Sequence, residues 1–150
     1  MPQFPHEEVA FESGINVRFA IYNSNNDYIP EHWHRSMEVI YIYEGSMELI
    51  EGQRVLLLHA GDYHVVNSAA VHATRTTTPS RVLLLQIPYA FLIGAIPEYE
   101  SIRFLFSRRD SSADARIQEI LTSMGNLYTK NRKAILCGFP VCFMNFYTFL

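Results

Sequence analysis

As far as Pro88 the chain consists of short alternating or β-branched runs, each closed by a turn signal. Val17-Arg18-Phe19-Ala20-Ile21 alternates as a half-buried strand does. A polar loop, 23–27, follows. A β-branched and aromatic run over 38–43 ends at the turn Glu44-Gly45-Ser46, and Met47-Glu48-Leu49-Ile50 ends at Glu51-Gly52. Further strands are expected over 54–58, 63–66, 71–75 and 81–87, separated by Ala60-Gly61-Asp62, by Asn67-Ser68-Ala69-Ala70 and by a polar stretch over 76–80. Strands spaced about eight to twelve residues apart, punctuated by Gly and Asn, predict a sandwich or barrel. Past Pro88 the period becomes helical. Residues 89–95 read as a short helix stopped by Pro97. Residues 113–128 read as an amphipathic helix carrying Ile117, Ile120, Leu121, Met124 and Leu127, with Asp110, Ser111 or Ser112 as its cap.

Composition narrows the class. A chain of 150 residues is one domain's worth, and 49% hydrophobic with 18% charged residues marks an ordered globular chain. The formal net charge of −3 argues against this chain alone wrapping nucleic acid, which needs a surplus of cations facing phosphates. Cys137 and Cys142 are neither a disulfide framework nor a Cys-x-x-Cys motif, and read as small apolar residues of a buried helix. No basic, apolar secretory leader is visible, so the expected compartment is the reducing cytoplasm. Residues 134–150 carry no charge, yet they fall short of the roughly twenty apolar residues of a membrane helix and include Gly138, Pro140 and Asn145. They read as a helix buried against the barrel, a second copy of the chain, or something C-terminal to Leu150.

The chemistry gathers in His32-Trp33-His34-Arg35-Ser36-Met37-Glu38. On an unbroken strand His32, His34 and Glu38 would share one face, continued by Ile40 and Ile42. Two imidazoles and a carboxylate are ligand types for Zn, Mn, Fe, Ni or Cu, and His72 is a fourth candidate. A His-x-His pair alone is more often structural. Without a metal, the four side chains could hydrogen-bond a ligand's hydroxyls or one another. Trp33 has the opposite parity and should point away, to a second layer or the N-terminal arm; Tyr41 and Tyr43 share that parity and read as packing. Phe19 and Ile21 are candidates for barrel lining, with the inward face of their strand undecided. His59 and His64 flank Gly61 and read as surface or strand-edge histidines. Arg103, Arg108, Arg109, Lys130, Arg132 and Lys133 form a mild basic cluster that reads as a solvated helix end or loop.

The spacing His-x-His-x3-Glu-x6-Gly, met by His32, His34, Glu38 and Gly45, resembles the first cupin motif. Gly61 and His72 stand at matching positions of the second, where Asn67, Ala69 and Thr76 replace its proline, second glycine and asparagine. Asn26 stands where the first motif usually begins with glycine. The resemblance spans about 17–87. It implies a mainly β fold, a cupin-like double-stranded β-helix (jelly-roll) barrel followed by C-terminal α-helices, and places His32, His34, Glu38 and His72 at the positions that ligate one divalent transition metal in metal-dependent cupins.

Within cupins, His-x-His-x3-Glu-Val-Ile-Tyr-Ile-Tyr-Glu-Gly, then Ala-Gly-Asp, Ala-Val-His and the run from Leu83 to Leu92, is similar to the N-terminal sensor domain of AraC-family transcriptional regulators. That resemblance implies an arm over 1–15, a barrel over 16–88 and a helical dimerisation segment over 89–150. It also implies a small-molecule effector, often a sugar, bound by His32, His34, Glu38 and His72, and a homodimer through the C-terminal helices. DNA would be contacted only through a C-terminal domain that would need about 100 further residues. The chain is then no enzyme. The rival expectation is a stand-alone metal cupin of dioxygenase or sugar isomerase type, for which the apolar helical end has no evident use.

Overall fold

A computed structural model describes residues 3–11, 17–105 and 111–130. The chain divides into two compact units, Met1–Leu105 and Phe106–Leu150. Eight strands are described in the first: β1 (Arg18–Ser24), β2 (Tyr28–His32), β3 (Met37–Glu44), β4 (Ser46–Glu51), β5 (Arg54–His59), β6 (Tyr63–Val66), β7 (His72–Arg75) and β8 (Ser80–Ile87). They form two four-stranded antiparallel sheets, ordered β1-β8-β3-β6 and β2-β7-β4-β5. This is the expected mainly β, two-sheet cupin-like architecture.

Register explains where the core sits. Because side chains alternate, each cross-strand row belongs to one face. One row runs Arg18–Gln86–Glu38–Val66, the next Ala20–Leu84–Ile40–His64, the next Tyr22–Val82–Ile42. These even-numbered residues face the space between the sheets. There Ile40, Ile42, Val66 and Val82 pack with Met47, Leu49 and Leu58 from the facing sheet. The odd-numbered row Phe19–Leu85–Val39–Val65 faces the other way and is buried as well. Phe19 and Ile21 therefore do not line the barrel; Arg18 and Tyr22 hold the inward positions of β1. Alternation in the sequence identifies two faces of a strand but not which one points in.

Two stretches depart from expectation. β2 was not anticipated, because Pro30 removes a ladder donor; it survives as a sheet edge with a register shift between Ile29 and His32. β1 extends through Asn23 and Ser24, where buried Ser24 hydrogen-bonds Asp27 and Thr76 at 2.7 Å each. Both positions at which the motif's glycine is replaced keep a left-handed backbone, Asn26 at φ 54° and Ala69 at φ 62°. Asn tolerates this region; Ala does so at a cost.

Helix α1 (Tyr89–Ala95) follows β8 directly, ending before Pro97, and a 3-10 turn spans Tyr99–Ser101. The second unit contains α2 (Ser111–Lys130), on which Ile117, Ile120, Leu121 and Met124 are buried while Leu127 is exposed. Ser111 and Ser112 lie within the helix; Asp110 is outside the described residues. So are Cys137, Cys142, the uncharged stretch 134–150, and Arg108, Arg109, Arg132 and Lys133. Among the described residues no helix is long and apolar enough to cross a membrane.

Two substitutions test the backbone account with opposite signs. Ala69→Gly should stabilise the fold by about 1 kcal/mol by relieving the left-handed alanine. Gly45→Ala should cost about 2–3 kcal/mol: at φ +77° its Cβ would collide with the Pro79 carbonyl oxygen and approach Ser80 Oγ to 2.5 Å. Urea unfolding of both variants checks this, and equal effects in the two would contradict it.

Candidate functional site

The four candidate residues come together, but not along one strand. β2 ends at His32, residues 33–36 form a connector, and β3 begins at Met37. His32 and His72 pair across β2 and β7 in one sheet, whereas Glu38 projects from β3 in the other. His34 comes from the connector, whose backbone is tied to the turn before β7 by Ala69 N–H donating to His34 O at 2.9 Å. Imidazoles from one sheet and a carboxylate from the other thus meet between the layers. The break in the strand, rather than its continuity, allows this.

The histidines share one arrangement. His32, His34 and His72 each turn Nδ1 to a backbone carbonyl two residues away: Pro30 O at 2.8 Å, Ser36 O at 2.9 Å and Ala70 O at 3.1 Å. A carbonyl only accepts, so each Nδ1 carries the proton and donates it. Nε2 of each ring is left for other side chains: Glu7 beside His32, and Glu38 beside His34 and His72. Ring centroids of His32 and His72 lie 4.3 Å apart, those of His34 and His72 5.1 Å.

Glu38 is the hub. It is 4% exposed, yet Oε2 accepts from Gln86 Nε2 at 2.8 Å and faces His34 Nε2 at 3.0 Å, while Oε1 lies 3.7 Å from His72 Nε2, an ion pair rather than a hydrogen bond. Burial pushes its pKa up, but the imidazoles of His34 and His72 together outweigh burial and hold the carboxyl well below its ordinary range. Burial likewise pushes His72 down, and Glu38 overcomes it, leaving the imidazole above its ordinary value. Tyr22, further along the inner face, is pushed up to about 12, first by burial and then by the Glu38 charge.

The spacing of motif residues missed three groups. Gln86, 1% exposed on β8, fixes its amide by donating to Glu38 and accepting from Arg18 Nη1 at 3.2 Å. Arg18 also lies 3.4 Å from Glu7 Oε1, and Glu7 Oε2 lies 3.5 Å from His32 Nε2. Glu7 belongs to the N-terminal segment, which is held by Trp33: Glu7 N–H donates to Trp33 O at 2.9 Å, Trp33 N–H to Pro5 O at 3.1 Å, and the indole N–H to Phe4 O at 3.2 Å. Trp33 thus points to the arm, as its parity predicts. The one signal in the sequence for Gln86 is a lone amide in the apolar run of β8.

These residues surround a cavity of about 340 Å³. Its polar wall is Arg18, His32, Glu38, His72 and Gln86, its apolar wall Ile40 and Leu84, and Pro5, His6 and Glu7 sit at its edge. His64, expected at the surface, is instead buried, with Nε2 3.4 Å from Glu51; that imidazole holds the Glu51 carboxyl below its ordinary value. His59 is exposed, as are Arg103 and Lys130.

The donor set fits a divalent transition metal. One nitrogen from each of His32, His34 and His72 lies within 4.8 Å of the others. The Nδ1–H donation to carbonyls is the outer-shell contact that orients a ligating imidazole. Glu38 adds an anionic oxygen.

Residues 19–88 match the cupin domain family model. Among solved structures, the chain is 17% identical to a cupin-2 domain protein of Shewanella frigidimarina, over 51% of this chain and 72% of that one, with a TM-score of 0.44. It is 14% identical to a cupin superfamily protein of Desulfitobacterium hafniense, over 53% and 72%, TM-score 0.48. It is 28% identical to a DMSP lyase of Ruegeria pomeroyi, over 48% and 38%, TM-score 0.44. No curated protein matches the chain.

The buried charge sets a pH window. Glu38 titrates lower in the folded chain, so its contribution is present above its ordinary 4.5 and fades as the pH falls through the depressed value. His72 titrates higher when folded, so its contribution is complete below its ordinary 6.5 and fades as the pH rises through the raised value. The difference in thermal midpoint between the native chain and Glu38→Gln should therefore be largest between pH 4.5 and 6.5 and shrink on both sides. A difference that ignores pH would contradict the pairing of ionised Glu38 with His72. Glu38→Ala, leaving imidazoles facing a void, should cost about 3 kcal/mol by denaturant unfolding.

Proposed function

We propose that the chain is the ligand-sensing and dimerisation domain of an AraC-type transcriptional regulator, acting in the cytoplasm and not as an enzyme. A small-molecule effector enters the cavity and exchanges hydrogen bonds with His32, Glu38 and His72, with Glu38 accepting, while His34, which does not line the cavity, backs Glu38. DNA is contacted through a separate C-terminal domain, and pairing of two copies runs through the C-terminal helices. One observation supports this reading: the polar wall of the cavity and the N-terminal segment are in contact, since the Glu7 carboxylate lies 3.4 Å from Arg18 and 3.5 Å from His32. A ligand that displaces the Glu7 side chain removes a contact that joins the arm to the cavity, while the backbone bonds to Trp33 remain; losing that contact is what gives binding a differential effect on two states of the chain.

A second reading, a metal-dependent cupin enzyme of dioxygenase or sugar isomerase type, draws on the three imidazoles, one nitrogen of each lying within 4.8 Å of the others. A bound metal would supply Lewis-acid polarisation of a substrate oxygen. The chain's own part would be to hold and orient: His32, His34, His72 and Glu38 as ligands, Gln86 fixing Glu38.

The reading frame of the parent gene separates the two. The regulator reading predicts that it continues past the codon for Leu150 into two helix-turn-helix units. A stop codon there, together with stoichiometric metal that survives purification and is lost in His34→Ala, would contradict the regulator and favour the enzyme.

A further inference from the structure

We infer that the mouth of the cavity is a carboxylate-binding subsite, made by Arg18 and His32 and filled by the chain's own Glu7. The effector it takes is a small monocarboxylate with an apolar body. This deepens the sensor reading and rests on it for the consequence of binding, though not for the binding itself.

Glu7 divides its carboxylate between two groups from different sheets: Oε1 lies 3.4 Å from Arg18 Nη1 and Oε2 3.5 Å from His32 Nε2. One carboxylate set against a guanidinium, beside an imidazole that donates when Nε2 also carries a proton, is the contact an acidic ligand would make. Both distances exceed those of a tight charge-assisted hydrogen bond, and both Arg18 and Glu7 keep more than a third of their side-chain surface in water. The contact is therefore a weak, replaceable one, of the kind exposed ion pairs make.

The subsite persists when Glu7 leaves. Arg18 is tethered by Gln86 Oε1 at 3.2 Å, and Gln86 is locked in turn by Glu38. His32 is held by Pro30 O. Glu7, by contrast, is fixed to the barrel through backbone bonds to Trp33, so its side chain can swing aside without unfolding the segment. Among the described residues lining the cavity, Arg18 is the only guanidinium or ammonium group. Glu31 and Glu38 remain on the wall, so a polyanion is disfavoured. Ile40, Leu84 and Ile29 offer apolar surface to the remainder of the ligand.

Calorimetric titration with benzoate and hexanoate, against benzamide, hexanamide, xylitol and inorganic sulfate, tests this. The acids should bind about ten-fold or more tightly than their amides, since the amides forgo the charge-assisted contact. Glu7→Gln should tighten the acids about three-fold and leave the amides unchanged, because a weak tethered competitor has been removed. Arg18→Met, verified as folded by circular dichroism, should erase the preference for acid over amide. Equal binding of acid and amide, acid affinity indifferent to Arg18→Met, no acid binding to Glu7→Gln, or sulfate binding as well as the acids would each overturn the inference. Xylitol binding without the acids would leave the sensor reading standing while the subsite falls. Acids that bind as described, yet leave the operator affinity of the longer regulator unchanged, would keep the subsite and remove the sensor reading.

Discussion

A carboxylate sealed between two sheets is the constraint on which the site depends. Glu38 stays ionised at 4% exposure only because an amide donor and two imidazoles surround it. Such a charge is costly to bury and far more costly to leave unpaired, so it fixes the positions of its partners. Gln86 must present its N–H to Glu38, which leaves its carbonyl for Arg18. His34 and His72 must present Nε2, which sends Nδ1 to the backbone. The polar wall is thus one connected object that reaches from the buried hub to the N-terminal segment.

That connectedness gives the imidazoles two uses. A protonated Nε2 donates to Glu38; a bare one offers its lone pair to a cation or accepts from a ligand hydroxyl. The bare form requires the proton on Nδ1 and the donating form then carries a second proton; the three backbone carbonyls hold the first one on Nδ1. The same scaffold therefore serves metal chemistry or ligand sensing. The sensing proposal draws on the engagement of Glu7, which brings a segment outside the barrel into contact with the pocket.

Much of this was legible in the sequence, for physical reasons that also mark where legibility ends. Turn residues and alternation located seven of the eight described strands; β2 escaped because Pro30 speaks against a strand and an edge tolerates it. The spacing of His32, His34, Glu38 and His72 singled out residues that do converge, although the face-sharing argument assumed an unbroken strand and the chain breaks at 33–36. Arg18 reads as the polar half of an alternating strand, and polar residues are ordinarily taken to face solvent; here that half faces the cavity. Gln86 is a single amide in an apolar run, and Glu7 lies in a segment without periodicity. Their roles arise from cross-strand register and tertiary contact, which no local pattern carries. His64 was misread for the same reason: proximity to a turn suggested exposure, whereas its register beside Ile40 turns it inward.

The central claim is that backbone carbonyls hold the histidine protons on Nδ1 and so leave Nε2 of each ring to face side chains or a ligand. Nitrogen-15 NMR of the imidazole rings reads this directly. The account predicts that Nδ1 is protonated in His32, His34 and His72, whether or not Nε2 also carries a proton. A neutral ring at any of the three with the proton on Nε2 and a bare Nδ1 would contradict it.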